Sequence, residues 1–170
     1  MSFDQTKANN LIQISKEEVR QYWHLVRPGL EYMVSEGRNP DGWIPEEIFN
    51  VLTAGRADLF FTSIMRGEDK GMRYATREAA IQDSSGFVVL QLLPTFDGRV
   101  VHIWIAVSND STNKSDAGSI MRVFNDELTK IATDTGSNGI TFGSNCEFWE
   151  TIGPRFGFEK QETKWKKLVK

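Results

Sequence analysis

A mixed sheet with helices on both faces is the fold the sequence predicts. Two observations carry that prediction. The element signals run as helices, then strands, then strand–helix–strand–helix–strand, and the last part is a crossover unit. The strand signal at residues 100–107, VVHIWIAV, is apolar almost throughout, so both of its faces should be covered.

Composition narrows the class. The chain has 170 residues, which suits one core. Hydrophobic residues make up 39% and charged residues 25%, a globular rather than a disordered balance. The net charge of −3 leaves no basic footprint for nucleic acid. No apolar run reaches the ~18 residues of a membrane span. MSFDQTKANN has no apolar segment and does not read as a signal peptide. Cys146 is the only cysteine, which excludes an internal disulfide and a cysteine-based zinc site, and no metal site is expected. A cytoplasmic setting fits these features.

Residues 1–14 read as an N-terminal arm, with a strand at 11–14 at most, and residues 15–170 as one domain. Ser15 and Glu18 have capping-box spacing. Val19, Tyr22, Trp23, Val26, Leu30 and Met33 then recur at helical spacing, so one face is buried. Pro28-Gly29 should kink or split that helix, because proline removes a backbone donor, and Gly37 should end it. A second helix starts at Pro45, with Glu46 and Glu47 at its positive end, and stops at Gly55. Residues 57–65 read as a strand. Residues 66–85 leave three readings: a strand near Tyr74, a short helix at 76–81, or a long hairpin arm. Strands at 87–93 and 100–107 flank a turn at Asp97-Gly98. A helix follows at 119–135, with Ile120, Phe124, Leu128 and Ile131 inward, then a short strand at 139–143. Ser144 and Glu147 have capping-box spacing for the next helix. Residues 158–169, alternating in charge, read as a final edge strand.

This order, with a helix running through Gly157-Phe158 into a strand, resembles the GNAT superfamily of N-acetyltransferases, from Trp43 to Leu168 and most closely from His102 onward. WIPEEIFNVLTAGRADLFF, HIWIAV and FWETIGPRFGFEKQETKWKKL are similar to small GNAT-like proteins encoded by tailed phages. Their motif reads Trp-Glu-Arg-Leu, three residues, then Leu-Gly-Phe or Leu-Gly-Tyr. Trp149, Glu150, Ile152, Phe156, Gly157 and Phe158 occupy those positions. The resemblance implies a GNAT-like α/β (α+β) fold with a mixed, mostly antiparallel, twisted sheet. It implies acetyl-CoA as acyl donor and a small-molecule or protein amine as acceptor.

The implied chemistry has three parts. The pyrophosphate is held by backbone N–H groups where a loop enters a helix. The family's loop reads Arg/Gln-x-x-Gly-x-Gly/Ala; here Thr112, Ser115 and Ala117 stand at the matched positions, with Lys114 and Gly118 beside them. The leading Arg/Gln and first glycine are absent. The pantetheine arm would pair with the backbone of Ile105, Ala106 and Val107. A tyrosine four residues before Gly-Phe serves many members as the acid for the thiolate; that position is Gly153, and Ser144 or Cys146 stand near the helix start instead.

His102 is the best candidate base, because an unperturbed imidazole titrates near pH 6.5. It should share a face with Trp104 and Ala106, and a hydrogen-bonded core histidine is the alternative. Asn109 and Asp110 follow the strand as cofactor-mouth or turn residues, and Glu147 and Glu150 flank the site. Trp23, Trp104 and Trp149 should pack in the core, with Trp43 and Trp165 partly exposed. Two functions follow. One is N-acetyl transfer from acetyl-CoA to an amine. The other is a non-catalytic GNAT-like role as a phage virion-associated or accessory component, with phage structural proteins as partners.

Overall fold

The computed structural model describes residues 9–64, 76–108, 116–143, 148–162 and 165–169. Its elements are β1 (Asn9–Ile14), α1 (Val19–Ser35), α2 (Pro45–Thr53), β2 (Asp58–Ile64), α3 (Arg77–Gln82), β3 (Gly86–Thr95), β4 (Gly98–Ser108), α4 (Asp116–Asp134), β5 (Ile140–Phe142) and α5 (Phe148–Ile152). A 3₁₀ turn at Gly153–Phe156 follows α5. The five strands lie side by side in chain order. The first three pairings are antiparallel, and β4 with β5 is parallel. This is the mixed, mostly antiparallel sheet the sequence predicts.

Each face carries its own core. Ile12, Leu59, Phe61, Phe87, Val89 and Ile105 point to one face, where α1, α2 and α3 cover them with Val26, Leu30, Ile48, Leu52 and Ile81. Phe60, Leu90 and Val101 point to the other, against Leu128 and Ala132 of α4. Strand alternation explains the division, since neighbouring residues face opposite ways. The crossover from β4 through α4 to β5 is what places a helix on the second face.

Local signals explain most ends. Glu47 Oε2 accepts from the Ile44 N–H at 3.0 Å at the start of α2, and Pro45 opens that helix. Thr76 caps α3, its Oγ1 accepting from Ala79 N–H at 3.1 Å, so the short helix among the three readings is present. Residues 65–75, with the strand near Tyr74, lie outside the described residues. β1 begins two residues before the 11–14 strand signal, and Glu127 Oε2 of α4 accepts from Leu11 N–H at 2.7 Å.

Three expectations are corrected. Pro28 does not split α1, which runs unbroken from Val19 to Ser35. Pro28 and His24 both lie on the exposed side, so the carbonyl that loses its partner is within reach of water. Trp43 is buried, at 6% exposure, and Asn39 Nδ2 donates to its carbonyl at 2.8 Å. The final strand is not formed among the described residues of 158–169. Its alternating charges present no apolar face, and Trp165 stands 92% exposed. β5 offers only three residues of edge to pair with.

Two glycines permit close approaches that fix β3 and β4. A Cβ at Gly86 would sit 2.0 Å from the Val107 carbonyl oxygen, which is backbone and cannot step aside. A Cβ at Gly29 of α1 would meet Val107 Cγ1 at 2.9 Å and Phe87 Cε1 at 3.0 Å. Gly86→Ala is therefore expected to cost about 3 kcal/mol or more. Gly29→Ala should cost about 1 kcal/mol, because alanine's helix propensity offsets part of the overpacking. Urea midpoints of the two variants check the order; equal midpoints would contradict it.

Arg77 ties three elements together. Its Nη1 is 2.7 Å from Glu18 Oε2 and its Nη2 donates to the Gln13 carbonyl at 2.7 Å. Glu18 Oε1 also accepts from Ser15 N–H at 3.1 Å, one half of the capping box. The Arg77 hydrogen bond is the main cause holding the Glu18 carboxyl below its ordinary range. A lowered folded pKa stabilises above the unfolded value and is lost as pH falls through the folded one. Both side chains are about a third exposed, at 31%, which screens the pair. Glu18→Gln should cost about 1 kcal/mol or less at pH 7, and nothing at a pH where Glu18 is protonated in the folded protein. Denaturation at pH 7 and along a descending pH series tests this, and a cost that does not shrink as pH falls would refute it.

Candidate functional site

β4 and β5 stay together for only three rungs: Val101 with Ile140, His102 with Thr141, and Ile103 with Phe142. Beyond Ile103, β4 runs on for five residues, 104–108, while β5 has ended. Among the described residues, no strand lies beside this stretch on the β5 side. Among the described residues, the backbone of Ile105, Ala106 and Val107 therefore borders a notch that no strand fills. A strand edge of this kind presents N–H and C=O groups to an incoming extended chain.

The notch starts where β4 changes phase. Val89 pairs with Ile105 but the next residue, Leu90, pairs with Ile103, so Trp104 is an extra residue in the ladder. This is a β-bulge, which places two residues opposite one and bends the strand. Below it, Val101 and Ile103 face α4. Above it, Ile105 and Val107 face α1, and Trp104 packs with them. The expected common face for His102, Trp104 and Ala106 is thus corrected. Ala106 is paired with Val88, which faces α4, and is exposed.

His102 lies one rung below the point of parting, opposite Gln91 on one side and Thr141 on the other. Its Nδ1 is 2.9 Å from Thr141 Oγ1. The ring is half-buried and Thr141 is exposed. Gln91, His102 and Thr141 form a polar row across three strands. Gln91 and Thr141 carry no sequence signal of their own; the register alone brings them to the histidine.

α4 begins at Asp116, so Ala117 and Gly118 are in its first turn. The N–H groups of that turn have no partner within the helix and carry its positive end. Thr112, Lys114 and Ser115 lie outside the described residues, as do Asn109, Asp110, Ser144, Cys146 and Glu147. Gly153, at the position of the family's tyrosine, is buried at the start of the 3₁₀ turn. Glu150 does not reach toward His102; its Oε1 is 2.8 Å from Lys160 Nζ, which holds the Glu150 carboxyl below its ordinary range. Among the described residues no cluster of three metal-ligating side chains occurs, and no helix is long and apolar enough to cross a membrane.

Phe142 anchors the other side of the notch. Its ring lies 4.7 Å from that of Trp149 and 5.0 Å, edge-on, from that of Phe158. Gly157, at φ 82°, makes the left-handed turn that returns Phe158 to this cluster. A separate cleft of about 320 Å³ opens near the β1–β2 edge, lined by Gln13, Lys16, Gly55 and Asp58. Burial pushes the Asp58 carboxyl up, but this cleft lies three strands away from β5 and holds neither His102 nor the open edge.

No protein-family model matches the chain, and no curated protein matches its sequence. Solved structures do match its fold. Ribosomal-protein-alanine N-acetyltransferase from Brucella melitensis biovar Abortus 2308 superposes with TM-score 0.54 at 12% identity, covering 95% of this chain and 100% of that one. Aminoglycoside acetyltransferase meta-AAC0020 from an uncultured soil metagenomic sample, in complex with sisomicin, gives TM-score 0.58 at 12% identity over 96% and 97%. Aminoglycoside N-acetyltransferase AAC(6')-Iy, in complex with CoA, gives TM-score 0.58 at 12% identity over 98% of each chain. The chain shares the fold of these acetyltransferase structures, a mixed, mostly antiparallel sheet with helices.

Phe142→Ala should cost about 2 kcal/mol, less than a fully buried phenylalanine, because Phe142 is only half-buried. The expected signature is a lower urea midpoint; an unchanged midpoint would show that the aromatic cluster does not hold β5.

Proposed function

We propose that the protein is an N-acetyltransferase that takes the acetyl group from acetyl-CoA and gives it to an amine. The observation that carries this reading is the parting of β4 and β5 beyond Ile103 and Phe142, which leaves residues 104–108 without a strand partner on that side among the described residues. Acetyl-CoA fits that geometry by its chemistry. Its pantetheine arm carries two amides that can pair with the β4 backbone at Ile105, Ala106 and Val107. Its pyrophosphate suits free N–H groups at a helix start, where Ala117 and Gly118 stand and where Thr112, Lys114 and Ser115 are in sequence reach.

The amine nitrogen attacks the thioester carbonyl, the C–S bond breaks, and CoA leaves as the thiolate. His102, the imidazole one rung below the parting, first takes a proton from the ammonium so that the free amine can attack, and the N–H proton lost as the amide forms goes to the leaving thiolate. Pairing of the pantetheine arm against a fixed strand supplies orientation, which can account for a large part of such a rate. The protein is read as acting on a small-molecule or protein amine in the cytoplasm, or, if the chain is phage-encoded, in the host cytoplasm or the virion.

One feature favours a second reading, a non-catalytic virion-associated or accessory protein on the same fold. Gly153 stands where many members place the acid, and no described side chain near the notch replaces it. A fold alone does not carry an activity.

Calorimetric titration with acetyl-CoA and with CoA separates the two. Micromolar binding is expected. Turnover on a panel of amines should then fall about 10²–10⁴-fold in kcat/KM in His102→Gln, with acetyl-CoA affinity unchanged. No binding at millimolar ligand would remove the transferase reading, and a search for the protein in purified particles would follow.

A further inference from the structure

Thr141 sits between two anchored neighbours. Ile140 packs into the α4-side core and Phe142 stacks with Trp149 and Phe158. In a strand, the residue between them must point the other way. Thr141 is also the register partner of His102, and matched positions in a parallel pair share a face. The result is the 2.9 Å approach of Thr141 Oγ1 to His102 Nδ1. A β-branched side chain on a strand has few χ1 choices, so the hydroxyl is held in place.

We propose that Thr141 is a positioning residue for His102, accepting a hydrogen bond from Nδ1–H and so favouring the tautomer whose Nε2 takes up the substrate proton; the opposite polarity, the hydroxyl donating to an unprotonated Nδ1, is the arrangement that would overturn it. A neutral imidazole carries its one proton on either nitrogen. A proton on Nδ1 makes Nε2 the basic atom. The hydroxyl that accepts from Nδ1–H in the neutral ring does so equally in the imidazolium, so proton uptake at Nε2 requires no rearrangement at Nδ1. The role given to the proton at Nε2 rests on the transferase reading; the tautomer does not.

The test therefore reads the ring as well as the reaction. In a His24→Gln background, which removes the other, exposed histidine, the imidazole ¹⁵N shifts report which nitrogen is protonated. The expected parent shows a protonated Nδ1 and an unprotonated Nε2 at neutral and higher pH. Thr141→Val, nearly isosteric and on an exposed site, should move population to the Nε2–H form and lower turnover about two- to tenfold, the worth of one hydrogen bond. Thr141→Ser should restore both. A parent with unprotonated Nδ1, or shifts unchanged in Thr141→Val, would overturn the assignment. If the shifts move as expected but no amine is acetylated, the positioning stands and the transferase reading fails. If His102→Gln abolishes turnover while Thr141→Val changes nothing, the reverse holds.

Discussion

Ten residues of β3 run beside eleven of β4, and the one residue of difference is absorbed at Trp104. Everything around the candidate site depends on that mismatch. Below it, β4 turns Val101 and Ile103 toward α4, in step with Ile140 and Phe142 of β5. Above it, Ile105 and Val107 turn toward α1 and remain in step with Val89 and Phe87 of β3. The bulged strand thus stays registered with β3 along its whole length and leaves β5 part-way along. An unbulged strand of the same length would have to forfeit one of the two cores.

The surroundings keep this arrangement from relaxing. Gly86 lets β3 lie so close to Val107 that no side chain could stand there, and Gly29 lets α1 press on the same valine. On the far side, the Phe142, Trp149 and Phe158 rings fasten the end of a strand only three residues long. Among the described residues both walls of the notch are set mainly by packing, and the Glu150–Lys160 pair beside Trp149 is exposed and screened. A ligand that enters between them meets a preformed edge, which spares the cost of ordering it on binding.

Much of the fold was legible because its signals are local. Spaced apolar residues marked α1, Pro45 with Glu46 and Glu47 marked α2, and Asp97-Gly98 marked the hairpin between β3 and β4. The crossover order implied a mixed sheet, and β4 with β5 is its parallel pair. The bulge was not legible. In VVHIWIAV nearly every residue is apolar, so no alternation exists whose interruption could be noticed, and the shared face assigned to His102, Trp104 and Ala106 followed from unbroken parity. His102 was visible as a residue type, whereas Thr141 and Gln91 become neighbours only through pairings 39 and 11 residues distant in sequence. The final strand was overread: alternating charge describes an edge strand and a solvated extended tail equally well, and residues 165–169 are the tail.

Strand interiors are poor places to gain or lose a codon, because a shift of one residue sends every later side chain to the opposite face. β4 has already taken such a shift and built its upper half around it. A single-codon deletion at Trp104 would give a regular ladder with Ile103 still on Leu90 and Ile105 still on Val89; both cores would keep their side chains, and what would go is the bend at which the upper half of β4 leaves β5. The length of this strand is accordingly as much a determinant of the fold as its composition, and any homologous sequence aligned here with a gap should be suspected of a different edge between its fourth and fifth strands.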